Sequence, residues 1–169
     1  MQTYVPSTES DILILNWYME MAQSDDFEQT FSAEFAPCSA FMAAMTRSLV
    51  LYEADEKGIW GVVWFDRLMC GGAFGLWIRA DKRVHSTTLP FILDALESGL
   101  EKFPVLLLVT KQRNVIEQAE RIGFQKIGDI PWIFDGETAH VAWGDRKTCG
   151  AAFAEMRTLL APPADGASA

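Results

Sequence analysis

The stretch Gly71–Phe103, GGAFGLWIRADKRVHSTTLPFILDALESGLEKF, constrains the fold of this chain more than any other, because it reads as strand, basic loop and helix in immediate succession. Ala73 to Ile78 is a short apolar run with aromatics and no charge, and Asp81-Lys82-Arg83 breaks it. From Leu89 the apolar residues Leu89, Ile92, Leu93, Leu96 and Leu100 recur at helical spacing, which predicts a one-sided amphipathic helix over Leu89–Lys102. Ser86, Thr87 and Thr88 supply candidate capping hydroxyls, and Pro90 is tolerated in a first turn because the amide it lacks would be unpaired there. Unpaired amides at the helix start, with Lys82 and Arg83 beside them, make a seat for a phosphate. The plainer alternative is a capped helix next to a solvated charge cluster.

The stretch that follows, Val105–Phe124 (VLLLVTKQRNVIEQAERIGF), is a continuous apolar strand, a polar turn and a short helix ending at Gly123, where glycine takes a left-handed cap cheaply. Strand, amphipathic helix and buried strand in this order predict two parallel strands of one sheet joined by the helix.

Strand, basic loop, helix, buried strand, helix, Gly-Phe and two further strands together resemble the GNAT superfamily of acyl-CoA N-acyltransferases, from about Leu49 to Trp143. The resemblance implies an α/β (α+β) fold, with a mixed, mostly antiparallel central sheet flanked by helices and residues 1–160 forming one domain. In that family the loop after the fourth strand carries Arg/Gln-x-x-Gly-x-Gly/Ala, and its amides hold the pyrophosphate of coenzyme A. Arg83-Val84-His85-Ser86-Thr87-Thr88 stands in the matching register, with the arginine kept and both small residues replaced by hydroxyls. Ile122-Gly123-Phe124 matches the end of the family's later signature. Its usual Asn falls on Gln112, or on Asn114 if the loop is shorter, and its usual Tyr falls on Ala119. What the resemblance implies is acetyl-CoA as co-substrate, held by Trp77, Ile78, Arg83, Val84, His85, Ser86, Thr87 and Thr88, with Gln112 or Asn114 beyond the second strand.

Half of the 169 residues are hydrophobic, enough for one domain with a substantial core. A formal charge of −9 argues against a nucleic-acid binder, which needs an excess of Lys and Arg on some face, and suits an amine-bearing small molecule or protein as partner. The start MQTYVPSTESD has neither a basic region nor an apolar core of the secretory kind, and no apolar run approaches the ~20 residues of a membrane span. With Cys38, Cys70 and Cys149 odd in number and widely spaced, the expectation is a cytoplasmic protein with reduced thiols and no membrane partner. His85 and His140 are the only histidines and there is no Cys-x-x-Cys, so no metal site is expected.

Along the rest of the chain, Thr3–Pro6 reads as a short first strand. Ser7 or Thr8 caps a helix through Met21, with Ile12, Leu15, Met19 and Tyr18 as its apolar stripe. Phe27–Phe35 is mixed, and a second helix follows Pro37. Leu49–Glu53 and Ile59–Phe65 flank a polar turn ending in Gly58 and form a hairpin. Trp60, Val62 and Trp64 are expected on one face of its second strand, and Ile59, Val63 and Phe65 on the other, so that strand should be central and covered on both sides. Gly71, Gly72 and Gly75 suggest a bulge or a close backbone approach in the next strand; GNAT proteins use a bulge there to splay that strand from its neighbour. Lys126–Asp129, Trp132–Asp135 and Ala139–Trp143 are further strands, with a hairpin turn at Asp135-Gly136, and Arg146–Leu160 is a C-terminal helix. Trp132, Phe134 and Trp143 read as buried strand aromatics. Residues 161–169 lack core-forming side chains and are expected to be disordered.

Acyl transfer from a thioester to an amine needs a base for the amine, a donor for the carbonyl oxygen and an acid for the leaving thiolate. Ala73–Ile78 holds no carboxylate where the family commonly has one, and Ala119 cannot donate a proton. Glu53, Asp66 and His85 are the substitutes the sequence offers, each equally readable as a solvated surface group, so the catalytic residues stay unassigned. Cys70 has no base paired with it in sequence. Two functions follow. One is an acyl-CoA-dependent N-acyltransferase with atypical catalytic groups. The other is a catalytically degenerate GNAT-fold binding or structural protein, similar to ones encoded by tailed bacteriophages.

Overall fold

Alternating apolar residues from the N-terminal half and a continuous Val-Leu run from the second half meet in one seven-stranded sheet, ordered β1-β2-β3-β4-β5-β7-β6. The computed structural model describes residues 1–24, 37–134 and 137–160, without the side chains of 132–134. The readings for Phe27–Phe35, for the Trp132 and Phe134 side chains, for the Asp135-Gly136 turn and for the tail from 161 lie outside the described residues. The strands are β1 (Gln2–Thr3), β2 (Leu49–Asp55), β3 (Gly58–Leu68), β4 (Gly71–Ile78), β5 (Val105–Thr110), β6 (Gln125–Phe134) and β7 (Glu137–Asp145). The helices are α1 (Thr8–Ala22), α2 (Cys38–Met45), α3 (Thr88–Lys102), α4 (Arg113–Arg121) and α5 (Arg146–Leu160). The first strand is shorter than Thr3–Pro6, and Lys126–Asp129 and Trp132 belong to one continuous strand rather than two.

Each strand pairs antiparallel with its neighbour except β4 and β5, which run parallel with Gly72 opposite Leu106 and Phe74 opposite Leu108. The helix between them is α3, as the succession of strand, helix and strand requires. β3 is an interior strand, and its residues Ile59 to Phe65 are buried. One face of the sheet is covered by α1 and α2, through Ile14, Trp17, Tyr18, Phe41 and Met45 against Val50, Tyr52, Val62 and Trp64. The other is covered by α3, α4 and α5, through Phe91, Leu96, Ile116 and Phe153 against Phe65, Leu106 and Leu108.

Two sequence expectations fail here for identifiable reasons. On α1, Ile12 is 55% and Met19 42% exposed, and the buried stripe is Ile14, Trp17, Tyr18 and Met21. Apolar residues occupy more than one face of this helix, and the face holding Trp17 and Tyr18 wins because the two rings remove the most area from water. In the hairpin, the register slips between Glu53, opposite Gly61, and Ala54, opposite Ile59, so Trp60 is an extra residue on β3. That bulge turns Trp60 to the α3 side with Val63 and Phe65, and Ile59 to the α1 side with Val62 and Trp64, inverting the expected faces of both.

No bulge interrupts β4 against β3, where the register runs unbroken from Gly61–Ile78 to Leu68–Gly71. The β4 glycines answer to close approach instead. A Cβ on Gly75 would lie 2.0 Å from Cζ2 of Trp64.

Candidate functional site

β4 and β5 begin side by side and then part. Their last paired residues are Phe74 and Leu108, yet both strands continue. Gly75 to Ile78 stay paired with β3, and Val109 and Thr110 stay paired with Val141 and His140 of β7. The gap opens at the carboxyl ends of two parallel strands, where loops carry ligands in open α/β sheets. One side leads through a 3-10 turn, Ala80–Lys82, to α3, and the other leads to α4. The structure therefore brings Trp77, Ile78 and residues 83–88 to one side of the gap and Gln112 and Asn114 to the other. Phe74 and Leu76 of β4 pack into the core under α3 and α4, while Trp77 packs on the α1 side. Trp77 thus packs on the sheet face opposite Phe74 and Leu76, and Ile78 is a core residue, 9% exposed.

The loop satisfies many of its own amides. His85 N donates to the Lys82 carbonyl at 2.9 Å, Thr88 N to the His85 carbonyl at 3.1 Å and Thr87 N to His85 Nδ1 at 3.3 Å. None of the three candidate hydroxyls caps α3. Thr87 Oγ1 lies 2.8 Å from His85 Nδ1, and Thr88, 5% exposed, donates its hydroxyl inward to the Lys82 carbonyl at 2.5 Å. Burying Thr88 costs less once its hydroxyl is paired, so packing takes the hydroxyl that sequence assigns to the cap. Among the described residues, the amides of Val84 and Ser86 and the Ser86 hydroxyl have no intramolecular partner. Arg83, at the start of the loop, donates its Nε to the Ile78 carbonyl at 3.2 Å.

Across the gap, Gln112 N donates to Thr110 Oγ1 at 3.1 Å, and Asn114 is exposed in the first turn of α4. α4 ends in a paired cap: Gly123 N donates to the Glu120 carbonyl and Phe124 N to the Ala119 carbonyl, with Gly123 at φ 94°. Ala119 is 6% exposed in the core beneath it and carries no acid.

The substitute catalytic groups are not gathered at the gap. Asp66 faces Ala73, on the closed end of β4, and accepts from Ser48 Oγ at 2.5 Å. Glu53 sits on β2 and pairs with the amino group of Met1. His85 is on the loop, with Nδ1 held by Thr87. Sequence reasoning passed over the pair His140 and Asp129, 2.7 Å apart, on β7 and β6 next to Thr110. The His140 hydrogen bond, with Lys126 behind it, holds the Asp129 carboxyl below its usual range. Even pairing about the expected turn would set Asp129 opposite Ala142, and only the register shift between Ile130 and Phe134 brings it to His140.

No family model and no curated protein matches the sequence. Solved structures do match it. Spermidine N-acetyltransferase from Vibrio cholerae, in complex with CoA and spermine, is similar over 87% of this chain and 96% of its own, at a TM-score of 0.67 and 10% identity. Ribosomal-protein-alanine N-acetyltransferase from Brucella melitensis is similar over 86% and 99%, at 0.65 and 10% identity. An N-acetyltransferase from Staphylococcus aureus is similar over 85% and 97%, at 0.62 and 9% identity. At such identities the likeness is one of architecture, and the architecture of this chain is the GNAT N-acetyltransferase fold.

Proposed function

We propose that this chain transfers an acyl group from acyl-CoA, with acetyl-CoA as the expected donor, to an amine nitrogen. The observation that carries the reading is the parting of β4 and β5 beyond Phe74 and Leu108, with the basic loop on one side and the start of α4 on the other. In the reaction the amine lone pair attacks the thioester carbon, the C–N bond forms as the C–S bond breaks, and nitrogen loses a proton while sulfur gains one. Arg83, the amides of Val84 and Ser86 and the Ser86 hydroxyl would hold the pyrophosphate. The unpaired edge of β4 from Gly75 to Ile78 would receive the arm that leads to the thioester. Gln112 or Asn114 would close the site from the α4 side. The structural neighbours named above act on, or are bound to, amines, which supports an amine-bearing small molecule or protein as acceptor.

A second reading, a GNAT-fold binding protein without catalysis, draws on two observations. The loop consumes the amides of His85, Thr87 and Thr88 internally, and Ala119 supplies no acid. Calorimetry and thermal shift with acetyl-CoA separate the two. A ligand specific for the folded chain adds ~2.7 kcal/mol of stability at a hundred times its dissociation constant. No heat and no stabilisation at millimolar acetyl-CoA would leave the second reading alone.

A further inference from the structure

Trp77 carries a donor that the described residues do not use. Its indole nitrogen Nε1 is buried and has no hydrogen-bond partner among them. Buried Trp N–H groups ordinarily find one, and phenylalanine would fill the same wall without the cost of desolvating a donor. The residue stands on β4 beyond Phe74, the last residue of that strand paired with β5, on the lip of the gap. Its ring lies 5.9 Å from that of Trp17, which in turn lies 6.3 Å from Trp64 and 6.0 Å from Phe41. The opposite face of the gap is filled by the core under α3 and α4. On the Trp77 side, Val109 of β5 is 37% exposed, so an incoming amine reaches a thioester in the gap from this side, along the aromatic wall to which Trp77 belongs.

We propose that the Trp77 N–H selects the acceptor, by donating to an oxygen adjacent to the reacting nitrogen. The acceptor class this chemistry fits is an α-amino group beside a carbonyl, as at the amino terminus of a peptide. An alkyl polyamine offers only donors and positive charge, which an indole N–H cannot hydrogen-bond. The inference rests on the acyl-transfer reading above.

The test uses the full chain labelled with nitrogen-15, in which the indole resonance of Trp77 is assigned by its loss in Trp77→Phe. Alaninamide is titrated against sec-butylamine, which lacks the carbonyl, and against spermidine. The expected result is a downfield shift of the Trp77 N–H with alaninamide alone. No shift with alaninamide, or an equal shift with sec-butylamine, overturns the proposal. In turnover, Trp77→Phe is expected to raise KM for alaninamide roughly three- to tenfold with kcat little changed, the mark of a lost neutral hydrogen bond in binding. An unchanged KM would also overturn it. Failure of the acyl-transfer reading shows separately, as absent calorimetric heat with acetyl-CoA, whatever the Trp77 resonance does.

Discussion

Arg79 holds Asp55 across the width of β3 by two parallel hydrogen bonds, Nη1 to Oδ1 at 3.2 Å and Nη2 to Oδ2 at 2.7 Å. The same guanidinium reaches Asp81 through Nε at 2.7 Å. Lys82 Nζ sits 3.3 Å from Asp55 Oδ2 and 5.9 Å from the centre of the Trp60 ring. Two of the cations at the end of β4 are thus already answered by carboxylates before any phosphate arrives.

Asp55→Asn should therefore tighten acetyl-CoA binding, by about two- to fivefold, since an exposed ion pair competes only modestly for Lys82. The same substitution should change the acid limb of stability. The Arg79 hydrogen bond, helped by the Lys57 amide and Lys82, holds the Asp55 carboxyl far below the usual carboxylate range. A depressed folded-state pKa contributes stability that is present above the unfolded value of about 3.9 and lost as pH falls beneath it. Denaturation midpoints between about pH 3 and 7 should fall more steeply on the acid side for wild type than for Asp55→Asn. Parallel acid limbs would show that the pair adds nothing to the fold.

Arg83→Glu tests the loop itself. Losing a charge-assisted contact and gaining a repulsive one should weaken acetyl-CoA roughly tenfold to a hundredfold. Arg67→Glu changes net charge equally but sits opposite Gly72, at the far end of β4, and should leave affinity unchanged. Arg146, another arginine distant in sequence, is a poorer control because its Nε donates to the Leu100 carbonyl at 3.0 Å. Equal losses in the Arg83 and Arg67 variants, measured by calorimetry, would mean that only the overall field of the protein matters.

The parallel pair β4 and β5 and the helix between them were legible because apolar period and strand length agree there. So was the cap at Gly123, where a glycine follows the last turn of an amphipathic helix. The faces of Ile59 and Trp60 were not, because one inserted residue inverts a period of two and leaves no mark in composition. The capping role of Ser86, Thr87 and Thr88 misread for a different reason. Hydroxyls near a helix start have several local partners, and the His85 ring and the Lys82 carbonyl took two of them. The pair His140 and Asp129 depends on a register shift within β6, and the unused N–H of Trp77 on tertiary packing; neither can be counted from spacing.

Gly123→Ala and Gly58→Ala separate two reasons for glycine. Both positions have positive φ, 94° and 102°. Around Gly58 an added Cβ meets nothing within 4 Å, so its cost is the backbone term alone, about 1–2 kcal/mol. At Gly123 the added Cβ would lie 2.3 Å from the Thr148 carbonyl oxygen and 2.8 Å from Cys149 Cα, backbone atoms at the start of α5 that cannot step aside cheaply. Chemical denaturation should show a loss at Gly123 at least about 1 kcal/mol larger than at Gly58. Equal losses would mean that α5 moves to accommodate the methyl.

Gly75→Ala places a methyl where the indole of Trp64 lies, with Cζ2 at 2.0 Å and Cε2 at 2.3 Å from the added carbon. Trp64 is 7% exposed in the cluster that also holds Trp17, so its ring can yield only by displacing neighbours on the aromatic wall. Overpacking of this kind costs about 1–3 kcal/mol, and the near-ultraviolet circular dichroism of the coupled tryptophans should change with it. Trp64→Leu removes the atoms in conflict. The cost of Gly75→Ala should then be smaller in a Trp64→Leu background than in wild type, a coupling that a double-mutant cycle reads directly. If the two substitutions simply add, the strand rather than the indole is absorbing the methyl, and the wall beside the gap is softer than its packing indicates.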